Sequence, residues 1–302
     1  MSSETSKSQN NAGRILKGFE QVRGSFLKLL PERWRRRAPV VAVLRLNGII
    51  GTSAPLRPAL NIASVNDLIE RAFATSRAKA VALVINSPGG SPAQSHLIMR
   101  RIRSLSTEKK IPVYAFIEDV AASGGYMIAC AADEIFADPA SIIGSIGVVS
   151  ASFGFDRLID KIGVDRRVHT AGRSKAMLDP FRPEQADDVE HLKALQQELH
   201  TMFIALVRER RGGRLADDEG IFTGAFWLAE RAIALGLADG LGELNATLRD
   251  RFGEKVKLKP ISAGRGFIAR RLGATRIAHG EALASGFLAA MEERASWARF
   301  GL

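Results

Sequence analysis

Short, nearly continuous apolar runs alternate with stretches of helical periodicity over the first half of the chain. Apolar runs of this length, bounded by glycine, proline and polar clusters, predict strands that are buried on both faces. Strands are predicted near residues 40–46, 80–86, 112–117, 134–137 and 146–151, and helices near residues 62–76, 91–106, 123–131 and 155–162. This alternation predicts an α/β protein with a parallel sheet and crossover helices.

Two further helices are predicted in the second half of the chain. Residues 183–211 form an amphipathic stretch, and a helix near residues 224–235 would end at Gly236, a residue type that suits a helix C-terminus. Both helices are expected to form an outer helical layer. From about residue 253 the chain carries scattered glycines, and only a helix near residues 281–299 is predicted there.

Candidate chemistry first appears in residues 119–126, DVAASGGY. Ser123 follows the predicted strand at 112–117 and begins a predicted helix, where N–H groups are unpaired and the helix dipole is positive. Gly124 and Gly125 leave room for a substrate backbone. The arrangement suits a nucleophile whose attack creates an oxyanion. The same octet also fits a small-residue turn that packs a helix on a sheet.

A second glycine motif, SPGG, occupies residues 87–90 between the predicted strand at 80–86 and the next helix. A strand that opens through glycines into a helix exposes N–H groups at the end of the strand, where they can bind a phosphate or an oxyanion. The loop has neither the third glycine of a dinucleotide fingerprint nor the Gly-Lys-Ser/Thr of a P-loop. An oxyanion hole is therefore the better interpretation.

A serine nucleophile needs a base, and none of the five histidines lies in a motif that specifies it as one. His169 follows the strand-like residues 166–168 and remains a candidate. Lys175, within residues 171–181, is the alternative. A free lysine has a pKa of about 10.4, and burial lowers the pKa of a lysine by up to about 3–5 units, into the useful range. Without burial, Lys175 would be an ordinary solvated charge.

Four motifs in order resemble those of the signal peptide peptidase A family: SPGG at 87–90, ASGGY at 122–126, GSIGVV at 144–149 and K-x-x-x-x-P-F at 175–181. The resemblance runs from about residue 40 to residue 248. The family consists of Ser–Lys proteases with the crotonase/Clp-protease-like fold, a spiral of β-β-α units. The resemblance implies this fold, with an outer helical layer. It also implies cleavage of hydrophobic peptides, such as signal-peptide remnants or membrane-protein segments.

The resemblance further implies a role for each candidate residue. Ser123 would be the nucleophile, and Lys175, which lies 52 residues later, would be the general base. Ser145 would position the lysine amine, and the backbone N–H groups of Gly90 and Gly124 would form the oxyanion hole. No metal or cofactor is expected, because the chemistry needs none and the sequence has no paired Cys/His cluster.

Short members of the family assemble into rings in which the serine of one subunit meets the lysine of its neighbour. This chain has one serine motif and one lysine motif. The resemblance therefore implies a homo-oligomeric ring with a shared dyad, in which assembly is a condition of activity.

The net charge of +11 is concentrated near the two ends of the chain. Residues 14–37 hold eight lysines and arginines but only two glutamates, and residues 251–276 hold eight basic residues and one glutamate. The apolar residues of the first segment recur at helical spacing: Ile15, Phe19, Val22, Phe26, Leu29 and Leu30. A basic amphipathic helix suits an anionic membrane surface or a contact with another subunit. Nucleic acid is not expected, because no recognised binding motif accompanies the charge.

These features divide the chain into a polar tail and basic amphipathic helix at residues 1–38, a protease domain at 39–250 and a basic extension at 251–302. No apolar run approaches the roughly 20 residues that span a bilayer. Residues 1–11 lack the apolar core of an export signal. The expected location is therefore the cytoplasm or the cytoplasmic face of the membrane.

Two other interpretations stay open at this stage. An acyl-CoA hydratase of the same broad fold would polarise a thioester with paired N–H groups and use carboxylates such as Glu118 and Asp119 as acid and base. That interpretation explains neither Lys175 nor the GSIG motif. A membrane-associated scaffold without activity would keep the fold and the motifs.

Overall fold

A computed structural model describes residues 38–52, 59–172, 174–262 and 297–301. The strands are β1 (Val40–Asn47), β2 (Ala78–Ser87), β3 (Val113–Ala122), β4 (Glu134–Ala137), β5 (Ile142–Gly144), β6 (Phe226–Leu228), β7 (Gly240–Leu241) and β8 (Lys257–Ile261). The α-helices are α1 (Ile62–Phe73), α2 (Pro92–Lys109), α3 (Gly124–Ala129), α4 (Asp156–Lys161), α5 (Ala186–Arg211), α6 (Ala229–Ala234) and α7 (Leu244–Phe252). Two 3-10 turns, Gly212–Arg214 and Glu219–Phe222, follow α5.

The described strands form one sheet in the order β6-β5-β3-β2-β1-β8, and β4 and β7 continue it from the beginning of β3. Their pairings are parallel except for the antiparallel contact between β5 and β6. The first half of β3 pairs with β4, whereas Val120, Ala121 and Ala122 pair with β5. Because β3 changes partner along its length, the carboxyl end of β3 lies beside the loop that follows β5.

Side chains from the central strands pack on both faces of the sheet. Ala42, Leu44 and Leu46 of β1 join the large cluster formed with α1, α2, α3 and α5. The alternate residues Val41 and Val43 join a smaller cluster that includes Leu248 of α7. Coverage of both faces explains why these strands are continuous apolar runs and not alternating ones. The predicted α/β architecture with an outer helical layer is confirmed.

Two predicted elements are wrong. Residues 146–151 form no strand, and the strand at this point is the earlier β5. Gly144 and Ser145 adopt φ values of 120° and 53°, which turn the chain out of the extended conformation. The helix predicted at 224–235 is instead β6 followed by α6, because residues 226–228 pair with β5. Gly236, with φ of 77°, does follow that helix.

Several predictions lie outside the described residues. These are the amphipathic helix at 14–37 and most of the helix near 281–299. The two boundaries between the three predicted segments stay predictions, but β8 pairs with β1, so the sheet continues past residue 250. None of the helices in the described ranges is long and apolar enough to cross a membrane.

A buried ion pair joins the end of α5 to the turn before β7. Arg211 donates to both carboxylate oxygens of Asp239, at 2.8 and 3.0 Å, and its Nε donates to the carbonyl of Gly236. The Arg211 side chain is 1% exposed and that of Asp239 is 15% exposed. Burial alone raises the pKa of Asp239, but hydrogen bonds from Arg211 and from the Ile135 N–H outweigh it, so the pKa lies below its usual value.

The same region supports helix α3. The Tyr126 hydroxyl, fully buried, donates to the Leu237 carbonyl at 2.9 Å. Burial also raises the pKa of the neighbouring Cys130 thiol to about 12. Cys130 is therefore an unreactive core residue, because the thiolate is the reactive form.

We predict that Asp239→Asn lowers the free energy of unfolding at pH 7 by about 3 kcal/mol, because it leaves the Arg211 charge buried without a partner. The carboxyl has a lowered pKa in the folded chain. Its stabilising contribution is therefore present above the unfolded-state pKa of about 3.9 and is lost as the pH falls through the folded-state value. Urea unfolding over a pH series should show the difference between wild type and variant shrinking below about pH 4.

The matched control is Asp250→Asn, which changes an exposed carboxylate on α7. That variant should stay within about 0.5 kcal/mol of the wild type. A stability difference for Asp239→Asn that is constant down to acid pH would contradict the stabilising role of the ion pair.

Candidate active site

Ser123 lies at the junction between β3 and α3. Its φ and ψ are 51° and −121°, a backbone conformation that costs a non-glycine residue about 1–3 kcal/mol. Hydrogen bonds hold this conformation from both sides. The Ser123 N–H donates to the Gly144 carbonyl at 2.9 Å, and the Ser123 carbonyl accepts from the Met127 N–H at 3.0 Å. The strand and the helix together therefore fix the position of the serine hydroxyl.

The SPGG loop packs directly against this junction. A Cβ atom on Gly89 would lie 2.8 Å from the Ser123 Cβ and 2.9 Å from the Gly124 nitrogen. A Cβ on Gly90 would lie 2.0 Å from the Ile50 carbonyl oxygen, and the φ of Gly90 is 138°. Real side chains do not tolerate such contacts. Glycine is therefore required at these two positions for the backbones to approach each other.

The N–H groups of Gly90 and Gly124 are the expected oxyanion donors, and they lie on the two segments that meet here. A Cβ on Gly124 would lie 3.4 Å from the Gly90 nitrogen. Neighbouring backbone groups are paired, since Ile50 donates to Gly89 and accepts from Ser91. In the described part of the chain, the backbone hydrogen bonds that lie outside regular helices and strands include none donated by Gly90 or Gly124. Gly124 is the first residue of α3, and the first N–H of a helix has no intrahelical acceptor. Gly90 lies in the loop before α2, and its N–H has no acceptor among these backbone hydrogen bonds.

A cavity of about 360 Å³ opens beside the serine. It is lined by Ser123, Gly124 and residues 88–92, together with several apolar side chains. The apolar wall residues are Ile49, Met127, Val148, Val149, Leu199, Met202 and Phe203. This volume and this lining are typical of a site for a small ligand or a short apolar peptide segment.

Ser145 lies next to the junction but does not line the cavity. It is 5% exposed, its φ is 53°, and its N–H donates to the Ala225 carbonyl at 2.7 Å. The residues that follow it, Gly147 and Val148, form part of the cavity wall. The GSIG motif is thus a tight turn that brings a buried serine and a cavity wall together.

Lys175 does not meet Ser123 within one chain. Lys175 is exposed and does not line the cavity. His169 is also exposed and away from the cavity lining, and residues 166–168 form no strand. The burial that the lysine needs is therefore absent from the single chain. Among the described residues, no side chain is hydrogen-bonded to the Ser123 hydroxyl as a base would be.

The two carboxylates considered for a hydratase accept hydrogen bonds from side chains outside the cavity lining. Glu118 accepts both of its hydrogen bonds from Arg45, at 2.8 and 2.9 Å. Asp119 accepts from the side-chain amide of Asn86 at 2.5 Å. Neither carboxylate lines the cavity with Ser123. The structure therefore gives the hydratase interpretation no acid or base at the site.

Sequence reasoning missed two parts of this site. Leu199, Met202 and Phe203 of α5 form one wall, and their helical spacing marked them as an apolar face but not as cavity lining. Arg299 also lines the cavity, although it lies 176 residues after Ser123 in the chain. No local pattern indicates such a contact.

The site thus combines a strained serine at a strand-to-helix junction, two glycine N–H groups and a cavity. The model of peptidase family S49 matches residues 106–259. The chain belongs to this family. The resemblance seen in the motifs is confirmed, and the sheet with its helical layer is the α/β fold that the resemblance implies.

Individual relatives agree with the family. The chain is 32% identical over 216 residues to the chloroplastic serine protease SPPA of Arabidopsis thaliana, a match that covers 69% of this chain and 31% of that protein. It is 31% identical over 195 residues to a Synechocystis protein named as a protease, covering 63% of this chain and 70% of that one. A solved structure, a mutant of the 1510-N membrane-bound stomatin-specific protease, is a more distant likeness, with a TM-score of 0.46 and 16% identity over 76% of this chain and all of that one.

A higher identity occurs with a protein of a different name. The chain is 52% identical over 288 residues to the Na(+)/H(+) antiporter NhaA of Brucella abortus, a match that covers 92% of this chain. It spans only 39% of the length of that protein. The transport activity in that name describes the Brucella protein and is not assigned to this chain.

We predict that Gly124→Ala destabilises the fold by about 2 kcal/mol, because the added Cβ would lie 2.3 Å from the buried Ser95 Oγ. Removing that oxygen should relieve the clash. The cost of Gly124→Ala should therefore be smaller in a Ser95→Ala background than in the wild type, a coupling that a double-mutant cycle of urea unfolding measures.

Gly213→Ala is the matched control, since nothing lies within 4 Å of its Cβ position. It should be close to neutral in both backgrounds. Strictly additive effects of Gly124→Ala and Ser95→Ala would show that the close packing of α3 against α2 does not limit this position.

Proposed function

We propose that the chain is a serine endopeptidase that uses Ser123 as nucleophile and Lys175 of a second copy as general base. The observation that carries this proposal is the junction at Ser123, where a strained serine faces the available N–H groups of Gly90 and Gly124. Membership of peptidase family S49 supports the same activity. The apolar cavity walls support hydrophobic peptides as substrates.

The proposed reaction has two stages. The Ser123 Oγ attacks a peptide carbonyl carbon while its proton passes to the neutral amine of Lys175, and the carbonyl oxygen becomes an oxyanion between Gly90 and Gly124. The C–N bond then breaks as Lys175 returns the proton to the leaving amine, which leaves an ester on Ser123. Water, deprotonated by Lys175, cleaves the ester to a carboxylic acid, and the proton returns to Ser123. Each donor of an oxyanion hole commonly contributes about 3–4 kcal/mol.

An exposed apolar segment supports assembly of several copies. We call residues 149–181 the arm. Most of its described residues are exposed, and among its charged side chains that of Asp179 is buried, at 5% exposure. Eight large apolar side chains are more than a third exposed there: Val149, Phe153, Phe155, Leu158, Ile162, Val164, Leu178 and Phe181. Such a concentration of exposed apolar surface marks a protein interaction site, and a second copy is the proposed occupant.

Contacts inside the arm link Lys175 to this apolar surface. Phe155 and Phe181 lie 5.7 Å apart between ring centroids, and the Phe155 N–H donates to the Pro180 carbonyl. An ion pair between Arg166 and Asp179 closes the loop that contains Lys175. When the arm packs on a neighbour, Lys175 is carried with it. Burial at that contact would supply the desolvation that a lysine base requires.

The first prediction of this proposal concerns the two catalytic residues. Ser123→Ala and Lys175→Ala should each lower hydrolysis of fluorogenic apolar peptides by at least about 10³-fold. If the dyad is shared between copies, mixing the two inactive variants should restore part of the activity, because mixed assemblies contain intact pairs. Rescue is measured after subunit exchange has been verified with differently labelled proteins.

Absence of rescue despite complete exchange would place the dyad within each subunit. Full activity of Lys175→Ala with an inactive Ser123→Ala would identify a different base, with His169 tested next. An assembled wild type that hydrolyses no peptide would favour the scaffold interpretation.

The second prediction concerns the arm. A Phe153→Asp/Ile162→Asp variant should shift the protein to smaller species in sedimentation velocity and lose activity in parallel, because both side chains are more than 60% exposed in the single chain. Leu97→Asp, on the exposed side of α2, is the matched control for adding charge outside the arm. Unchanged assembly and activity in the arm variant would remove the arm from the subunit contact.

A further inference from the structure

Residues 297–301 pack beside the catalytic junction. Phe300 is 8% exposed and clusters with Val120 and Ala122 of β3, the residues that lead into Ser123. Its ring also meets the Phe226 ring edge-on, with 5.0 Å between centroids. Hydrogen bonds from the Phe300 N–H to the Trp297 carbonyl and from the Gly301 N–H to the Ala298 carbonyl hold the segment in a helical turn. The segment is therefore anchored to the strand that presents the nucleophile.

This anchoring brings Arg299 to the cavity. Arg299 precedes the buried Phe300 and lines the same cavity as Ser123 and Gly124. Every other lining residue in the described part of the chain is uncharged. The guanidinium lies 5.8 Å from the Phe300 ring centroid, and no carboxylate among the described residues is within ion-pair distance of it.

A guanidinium that lines a cavity, with no carboxylate partner among the described residues, is suited to one class of ligand group. Arginine is always charged, and its planar fork matches the two oxygens of a carboxylate. Arg299 is exposed, so water screens part of such an ion pair, while the other described lining residues offer no competing charge. A peptide that fits this cavity would therefore combine apolar side chains with one carboxylate.

We propose that Arg299 is a specificity-determining residue that binds a carboxylate of the substrate. The inference rests on the proposed peptidase function for its substrate class, but binding is tested apart from catalysis. Two sources supply the same chemistry: the side chain of an aspartate or glutamate, and the free carboxyl terminus of the peptide. The two sources are distinguished by experiment.

The test measures binding to the full chain carrying Ser123→Ala, so that no turnover is needed. Fluorescently labelled apolar peptides are compared by anisotropy in two matched pairs, one with an internal Glu against Gln and one with a terminal acid against a terminal amide. One carboxylate peptide is expected to bind about 5- to 10-fold more tightly than its neutral match, a preference that high salt weakens. The pair that shows the preference identifies the source of the carboxylate.

Variants at position 299 then test whether Arg299 causes the preference for the carboxylate peptide. Arg299→Gln should abolish it while leaving the affinity for the neutral peptides within about twofold, Arg299→Lys should keep part of it, and Arg299→Glu should reverse it. Arg249→Gln, which removes an exposed arginine from α7 outside the cavity, is the matched control and should keep the full preference.

Two results would overturn the proposal. Equal affinities within both peptide pairs would show that the site does not recognise a carboxylate. A carboxylate preference that persists in Arg299→Gln would show that a residue other than Arg299 causes it. Hydrolysis by the wild type separates this inference from the proposed function. Turnover without a carboxylate preference defeats only the role of Arg299, whereas selective binding without turnover defeats only the peptidase activity.

Discussion

The close approach of two backbones is the constraint on which the rest of the site depends. The loop after β2 and the turn after β3 meet at distances that no Cβ atom could occupy, since a Cβ atom on Gly89 would lie 2.8 Å from the Ser123 Cβ. This contact leaves N–H groups of both segments available and holds Ser123 in a strained conformation. The proposed nucleophile and the proposed oxyanion donors are thus positioned by main-chain packing, which does not depend on flexible side chains.

The surrounding fold stabilises that strain. β3 is hydrogen-bonded along both edges, and its last residues pair with β5, whose carbonyl at Gly144 receives the Ser123 N–H. Behind the junction, Tyr126 and the Arg211–Asp239 ion pair connect α3 and α5 to the turn before β7. A site that stores local strain persists only where such contacts outweigh it.

The described residues of a single chain do not bring the proposed catalytic residues together. The proposed nucleophile, the proposed oxyanion donors and the cavity lie together, but Lys175 is exposed on the arm, whose large apolar side chains stay more than a third exposed. The exposed apolar side chains and the exposed Lys175 lie in the same segment, the arm. Both would be resolved by one subunit contact, which is why the proposed function joins assembly to activity.

The sequence by itself determined the α/β class, the central strands and the two glycine motifs, because these depend on local patterns of apolar residues and on backbone freedom at glycine. It did not determine the β5–β6 pairing, because residues 226–228 are strand only through their partner. Tertiary structure alone decided that Arg299 reaches the cavity, that Glu118 is neutralised by Arg45 and that Lys175 is exposed. Each of these facts joins residues far apart in the chain, and local periodicity contains no information about such contacts.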